Sequence, residues 1–210
     1  MVNPPVHSGA IVLLVGVVQF VIVGMALTQL KYPGYSLTGN YISDLGNTST
    51  SPWYFVFNGS IIALGVLSFF GVLMIWGAFK PGLLRLAGLA LLLVASIAAI
   101  GVGVFPENVN GGIHGLASLL VFLPSGLAMV LLSGTMLRDT RWQGFRFFTF
   151  LLGVITLVAL ALYLPQYWGP LGPGGLERIV VYPVLIWAFV ISIHLRQLPS
   201  TVKIGHLAKV

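Results

Sequence analysis

The chain has 210 residues, of which 58% are hydrophobic and only 7% are charged, and its mean hydropathy is +1.02. About a quarter of the residues of a soluble domain are charged, so this composition excludes an ordinary water-soluble fold. The absence of cysteine excludes a disulfide framework, a thiolate nucleophile and a cysteine metal cluster. The net charge of +6 could indicate nucleic-acid binding, but the positions of the charges favour a membrane topology instead.

Six apolar segments follow one another, each close to the roughly 20 residues that a helix needs to cross about 30 Å of hydrocarbon. The first segment lacks a basic leader and is too long for a signal-peptide core, so we predict a retained helix. The predicted spans are residues 8–30, 53–79, 86–105, 113–137, 147–164 and 176–195. The predicted fold class is therefore all-α, a polytopic membrane protein whose residues 1–210 form a single six-helix bundle.

The second span contains four glycines that recur every six residues. They are Gly59, Gly65, Gly71 and Gly77. A six-residue period does not keep to one face of a helix, so we interpret them as small residues at helix contacts and not as a repeat.

Lysine and arginine predict the orientation of this bundle. One side carries eight of these residues, whereas the other carries only Lys31 and Arg178. The eight are Lys80, Arg85, Arg138, Arg141, Arg146, Arg196, Lys203 and Lys209. Because positively charged loops are retained in the cytoplasm, we predict that both termini are cytoplasmic and that the odd-numbered loops are extracytoplasmic.

The longest polar interval of the chain connects the first two spans and contains Asp44, one of four acidic residues. Asp44 could act as a metal ligand or general base at the mouth of the bundle. Alternatively, it caps a short helical turn, or it pairs with Lys31 or Arg178 and holds the loop down. The loop could fold back onto the bundle instead of extending into water.

His114 follows a glycine-rich turn at the start of the fourth span, and Glu177 and Arg178 open the sixth span. The predicted topology places all three on the extracytoplasmic side with Asp44. An ionisable residue at membrane depth is costly, which makes His114 a functional candidate, although a hydrogen-bonded structural histidine is the equal alternative. Glu177 could be an acid or base beside an Arg178 that binds phosphate, or the two could form an interfacial pair.

The second, fourth and sixth helices are predicted to begin at this same side. Their positive dipole ends favour an anion such as a lipid phosphate. Glu107, at a loop tip, is expected to be merely solvated. Binding of a lipid phosphate or headgroup is assigned to Arg178, Lys31, Tyr41, Ser43 and Asn58.

Asp44, His114 and Glu177 would together suit a divalent metal such as zinc, with water in the open coordination position. They come from different loops, so no spacing motif supports the metal. His194 lies near the opposite end of its helix from the level of His114, which argues against haem. The sequence contains no nucleotide-binding or nucleic-acid-binding motif.

Three patches in succession carry a family resemblance: Tyr41 to Gly46, Phe105-Pro106-Glu107 followed by His114, and Glu177-Arg178. The chain resembles an uncharacterised prokaryotic family of six-helix membrane proteins, of the domain of unknown function 998 type. That family is distantly similar to the FRAG/DRAM/Sfk group of eukaryotic membrane proteins, some of which are tied to lipid-anchor remodelling or lipid organisation. The resemblance implies a prokaryotic plasma-membrane bundle in which Asp44, His114 and Glu177 meet at the extracytoplasmic side.

Three functions remain open at this point. The leading hypothesis is a polar, lipid-accessible extracytoplasmic site at which Asp44, His114 and Glu177 catalyse hydrolysis or transfer on a lipid. The alternative is a non-enzymatic lipid-binding, scaffold or accessory subunit, in which the same groups form a hydrogen-bond cluster. A small transporter is less favoured, because no acid or base lies clearly at mid-membrane. Membrane lipids are the expected partners, nucleic acid is not, and the sequence is compatible with an oligomer.

Overall fold

The computed structural model describes residues 3–137 and 139–199. Within these ranges the chain is helical without strands, and six helices are long and apolar enough to cross a membrane. The predicted all-α, six-span fold class is therefore confirmed. Arg138, Lys203 and Lys209, three of the cations used to predict the orientation, lie outside the described residues.

The six helices are named α1 to α6 in chain order. They comprise Pro4–Lys31, Tyr54–Met74, Leu83–Val104, Gly111–Thr135, Phe145–Tyr163 and Gly172–Gln197. Sequence reasoning extended α2 to residue 79, but the helix stops at Met74 and a 3₁₀ turn, Trp76–Ala78, follows it. Gly77 and Pro81 disfavour a longer α-helix there. α6 begins four residues earlier than predicted because Pro173 fits the first helical turn.

Each helix packs against its neighbours in the chain, and α6 packs against α1, so the bundle is a closed ring. α1 departs from regular α-helix in the segment Phe20–Leu27, which is a π-helix. This π segment packs against α2, whereas α6 is contacted mainly by Pro4–Gln19. At Gly24 an added Cβ would lie 2.9 Å from the Cβ of Ser60, so glycine permits the close approach of α1 to α2.

The ring places both described ends of the chain together. His7 Nε2 lies 3.0 Å from the carbonyl oxygen of Leu198, so the start of α1 and the end of α6 are at the same end of the bundle. Arg141 pairs there with Asp139 at 2.7 Å, and this contact holds the pKa of Asp139 below its usual range. The other end is covered by residues 32–53, named here the covering loop. The assignment of these two ends to the cytoplasm and the exterior stays a prediction.

The regularly spaced glycines of α2 differ in their surroundings. A Cβ on Gly65 would lie 2.6 Å from the carbonyl oxygen of Ser96, and a Cβ on Gly71 would lie 2.5 Å from Leu13. The corresponding positions on Gly59 and Gly77 have no neighbouring atom within 4 Å. Two of the four therefore serve the predicted close contact, and the other two do not.

We expect Gly65→Ala to destabilise the bundle, because the new methyl group meets backbone of α3 that cannot rotate away. Overpacking of this kind costs about 1–3 kcal/mol. Gly59→Ala is the matched control, and its higher helix propensity should leave stability unchanged or raise it by up to about 1 kcal/mol. Reversible unfolding of both variants in detergent micelles measures the difference. Equal stabilities would contradict the close contact between α2 and α3.

Candidate functional site

The covering loop closes its end of the bundle. Ile42 and Leu45, only 4% and 0% exposed, pack into an apolar cluster with Phe57 of α2 and Val181 of α6. Asn58 donates from Nδ2 to the carbonyl oxygen of Gly46 at 3.0 Å. The loop is therefore folded onto the bundle, and Asn58 holds it there.

Arg178 fastens the covering loop to α6. Its Nη1 donates to the carbonyl oxygens of Leu37 and Gly174, both at 2.7 Å, and of Asn40 at 3.1 Å, while Nη2 donates to the hydroxyl of Tyr35 at 2.7 Å. The side chain is only 7% exposed. The sequence assigned this guanidinium to a lipid phosphate, but the structure directs it to main-chain oxygens of the loop. Its geometry therefore supports a structural role, in which Arg178 holds the covering loop against α6. This set of hydrogen bonds is named here the clamp.

Glycines at the start of α6 allow the loop to come this close. Gly172 has a φ of +68°, which favours glycine, and the N–H of Gly174 donates to the carbonyl oxygen of Thr38 at 2.9 Å. A Cβ on Gly174 would collide with the carbonyl oxygen of Asn40. The Gly-Pro-Gly-Gly run before Glu177 is the one sequence signal that pointed to this approach, and sequence reasoning treated it only as a loop.

Tyr35 completes the clamp and was missed from the sequence. Its hydroxyl donates to the carbonyl oxygen of Tyr41 at 2.8 Å while it accepts from Arg178. Burial raises the pKa of Tyr35 to about 12, although the guanidinium of Arg178 opposes the shift. The phenol therefore stays protonated and bridges two parts of the covering loop.

Asp44 lies inside a 3₁₀ turn, Ser43–Gly46, which has no side-chain cap bond. Its Oδ2 accepts from Asn40 Nδ2 and from the N–H of Tyr41, both at 2.9 Å. Lys31, which the sequence offered as a pairing partner, instead places Nζ 5.6 Å from the ring centre of Trp53. These contacts tie Asp44 to the covering loop just before the turn.

Glu177 and His114 are both buried, at 6% and 7% exposure, and each is fixed by one hydrogen bond. Glu177 Oε2 accepts from the N–H of Ile42 in the covering loop. His114 Nδ1 lies 2.9 Å from the carbonyl oxygen of Phe105. A carbonyl only accepts, so Nδ1 carries the proton of this bond and Nε2 of the neutral ring presents a lone pair.

These two residues border one cavity. It has a volume of about 90 Å³, and its polar lining consists of Ser43, Ser118, His114 and Glu177. The hydrogen bonds above use Oε2 and Nδ1, which leaves Glu177 Oε1 and His114 Nε2 without a bond from the described part of the protein. At about 30 Å³ per water molecule, the cavity has room for a few waters or one small polar group. With Glu177 ionised both free atoms are acceptors, so the cavity suits a hydrogen-bond donor.

Ser43 connects the covering loop to the next loop on this end. Its Oγ donates to Glu107 Oε2 at 2.9 Å. Glu107 was expected to be merely solvated; it is exposed, as expected, but it also holds Ser43. A second connection joins Asn108 Nδ2 to Thr48 Oγ1 at 2.8 Å.

Two of the helix starts at this end use their N–H groups internally. Ile113 N donates to Asn110 Oδ1 at 3.1 Å at the start of α4, and Gly174 N donates to the loop at the start of α6. These donors are therefore not free for the anion that the helix dipoles suggested. Among residues 3–137 and 139–199, no group of three or more His, Asp or Glu side chains is arranged to hold a metal ion.

Comparison with known proteins identifies a family. A family model described as "Protein of unknown function (DUF998)" matches residues 14–194. No curated protein and no solved structure matches the chain. The resemblance to this family predicted from the three patches is confirmed, whereas the similarity to the FRAG/DRAM/Sfk group stays a prediction.

We expect Arg178→Lys to loosen the covering loop, because lysine keeps the charge but lacks the planar fork that reaches several carbonyl oxygens. One lost hydrogen bond to a charged group costs about 1.5–3 kcal/mol, so amide hydrogen exchange at residues 37–40 should accelerate at least about tenfold. Arg196→Lys, at an exposed position, is the control and should leave the exchange unchanged. Unchanged protection in Arg178→Lys would refute the clamp.

The raised pKa of Tyr35 predicts that the protein loses stability in strong base. Its pKa is raised from 10.0 to about 12, so its contribution is complete below pH 10 and is lost as the pH rises through about 12. The tyrosinate absorbance that develops near pH 12 should be smaller by one tyrosine in Tyr35→Phe. Tyr167→Phe, at a position that is 70% exposed, should leave this part of the titration unchanged. An unchanged absorbance increase near pH 12 in Tyr35→Phe would contradict the assignment.

Proposed function

We propose that this chain, which belongs to the family of proteins of unknown function DUF998, is a lipid-binding membrane protein whose ligand is held at the loop-covered end by Glu177 and His114. One observation carries the proposal. Two buried ionisable residues from different helices border the same cavity, and each has one polar atom without a protein hydrogen bond.

The chemistry of the cavity favours a particular part of the lipid. His114 Nε2 accepts a hydrogen bond, and Glu177 Oε1 accepts one when the carboxyl is ionised, so a hydroxyl or amine of a headgroup fits these atoms better than a phosphate. Arg178 is engaged by the covering loop and adds no free cation to the cavity. Lys31, exposed at the end of α1, is the better candidate for a phosphate at the membrane surface. The charge distribution supports an extracytoplasmic position for this site.

Hydrolysis or transfer on the bound lipid is a second candidate. It is favoured by the combination of an imidazole lone pair and a carboxyl group at one cavity, since these are the groups that serve as general base and acid. In that case His114 Nε2 would act as the general base that accepts the proton of a water or a lipid hydroxyl. The Glu177 carboxyl would act as the general acid. The Ser43 hydroxyl donates to the exposed carboxylate of Glu107 and not to His114.

Two substitutions test the site while preserving its internal bonds. Glu177→Gln keeps an oxygen that accepts from the N–H of Ile42, but it replaces the other carboxyl oxygen by an N–H₂ donor. His114→Asn keeps a donor for the carbonyl oxygen of Phe105, but it removes Nε2. In nanodiscs of phosphatidylethanolamine and phosphatidylglycerol, each variant should retain about tenfold less lipid after detergent extraction than the wild type. That factor corresponds to about 1.4 kcal/mol, the size of one hydrogen bond.

Mass spectrometry of the extracted lipids separates the two candidates. Binding without a new lipid species supports the lipid-binding protein, whereas a hydrolysed or transferred product lost in both variants supports the enzyme. Tyr167→Phe is the control, since it removes an exposed polar group at the same end and outside the cavity. Equal retention in the wild type, Glu177→Gln and His114→Asn would overturn the proposal.

A further inference from the structure

A wide groove runs along the membrane-facing side of the bundle between α1 and α6. It has a volume of about 610 Å³ and a lining that is almost entirely apolar. Ile22 and Ala26 of α1 and Phe189 of α6 are exposed on its walls. The groove lies in the two helices' spanning segments, where the surrounding solvent is hydrocarbon.

The π segment of α1 explains why the groove exists. Phe20–Leu27 packs against α2, and Gly24 brings it close to Ser60, whereas the contacts between α1 and α6 come mainly from Pro4–Gln19. The two helices are therefore packed together in one half of the membrane and separate in the other half, toward the covering loop. π segments occur frequently at functional sites.

The dimensions of the groove fit one lipid chain. Its lining on α1 extends from Val17 to Gln29, which are twelve residue steps apart, or about 18 Å at the α-helical rise. Half of a typical hydrocarbon core is about 15 Å thick. The polar side chains of Gln29 and Tyr182 lie at the loop-covered end of the groove, where a headgroup would begin. The groove thus has the length and polarity of one acyl chain in a single leaflet.

Leu185 separates this groove from the interior. It borders the groove, the cavity of Glu177 and His114, and a second interior cavity of about 90 Å³. Val17 borders the groove and the second cavity. Leu185 is therefore the side chain that the lipid-facing groove shares with the cavity of the proposed site.

We propose that this groove binds one acyl chain of a phospholipid from the leaflet at the loop-covered end, and that Leu185 is the wall across which that lipid reaches the interior cavity. The acyl-chain site stands on the groove itself. The delivery of the lipid's polar part to Glu177 and His114 rests on the proposed function.

Ala26→Trp tests the acyl-chain site by filling the groove with a large side chain. Ala161→Trp is the matched control, because Ala161 is also exposed near the loop-covered end of its helix but lies on α5 outside the groove. Native mass spectrometry after mild extraction from phosphatidylglycerol nanodiscs should show one retained phospholipid in the wild type and the control. We expect at least a fivefold lower retained fraction in Ala26→Trp, and equal retention in all three would overturn the proposal.

Photo-crosslinking of the wild-type protein gives an independent test that needs no variant. A phosphatidylethanolamine with a photoreactive acyl chain should label residues 21–26 and 182–189 in preference to other membrane-facing positions such as Phe70 and Phe147, which are 55% and 67% exposed. Uniform labelling would overturn the proposal. A dimer that Ala26→Trp dissociates, without a retained lipid, would assign the groove to a second copy of the chain and would also overturn it.

The same measurements separate this inference from the proposed function. Loss of lipid in Ala26→Trp with full retention in Glu177→Gln and His114→Asn would support the groove and refute the polar site. Loss in the two polar variants with full retention in Ala26→Trp would refute the groove alone. Leu185→Ala should increase labelling of the interior residues Phe122 and Val184, and unchanged labelling would refute its role as the wall.

Discussion

The burial of two adjacent ionisable residues determines how the loop-covered end is built. Glu177 and Arg178 are 6% and 7% exposed, and an unpaired charge in such a position is strongly destabilising. The covering loop supplies the hydrogen-bond partners of both side chains. Its carbonyl oxygens accept from the Arg178 guanidinium, and the N–H of Ile42 donates to the Glu177 carboxyl group. The closed position of the loop is thus a consequence of placing these two side chains in the first turns of α6.

Closure of the loop in turn creates the cavity. Ile42 carries the bond to Glu177 on its N–H and fills the apolar cluster with its side chain, so the carboxylate is fixed between the loop and α6. His114 is fixed from a different direction by the carbonyl of Phe105. Both groups are oriented by backbone atoms, which leaves one acceptor of each for the cavity. A preorganised pair of this kind requires little rearrangement when a ligand arrives.

Hydropathy was sufficient to predict the number of helices, because a helix that crosses hydrocarbon needs a long apolar run whatever it packs against. The topology also predicted that Asp44, His114 and Glu177 gather at one end, but of these three only His114 and Glu177 border the described cavity. The partners of Arg178 could not be predicted, because main-chain carbonyls have no sequence signature and Tyr35 stands 143 positions away. The π segment and the different roles of Gly65 and Gly59 likewise depend on how neighbouring helices pack, which a regular glycine spacing does not record.

The lateral access from the membrane that we propose agrees with how the opposite end of the bundle is packed. At the end opposite the covering loop, Trp142 is 1% exposed and stacks on Phe79 with the ring centres 5.1 Å apart, which closes that end of the bundle. The second interior cavity includes Ser96 and Ser125, but their hydroxyls donate to carbonyl oxygens of their own helices. Ser68 also borders this cavity, so this part of the interior is not purely apolar. In our proposal the lipid takes a lateral route, since Leu185 borders both the membrane-facing groove and the interior cavities.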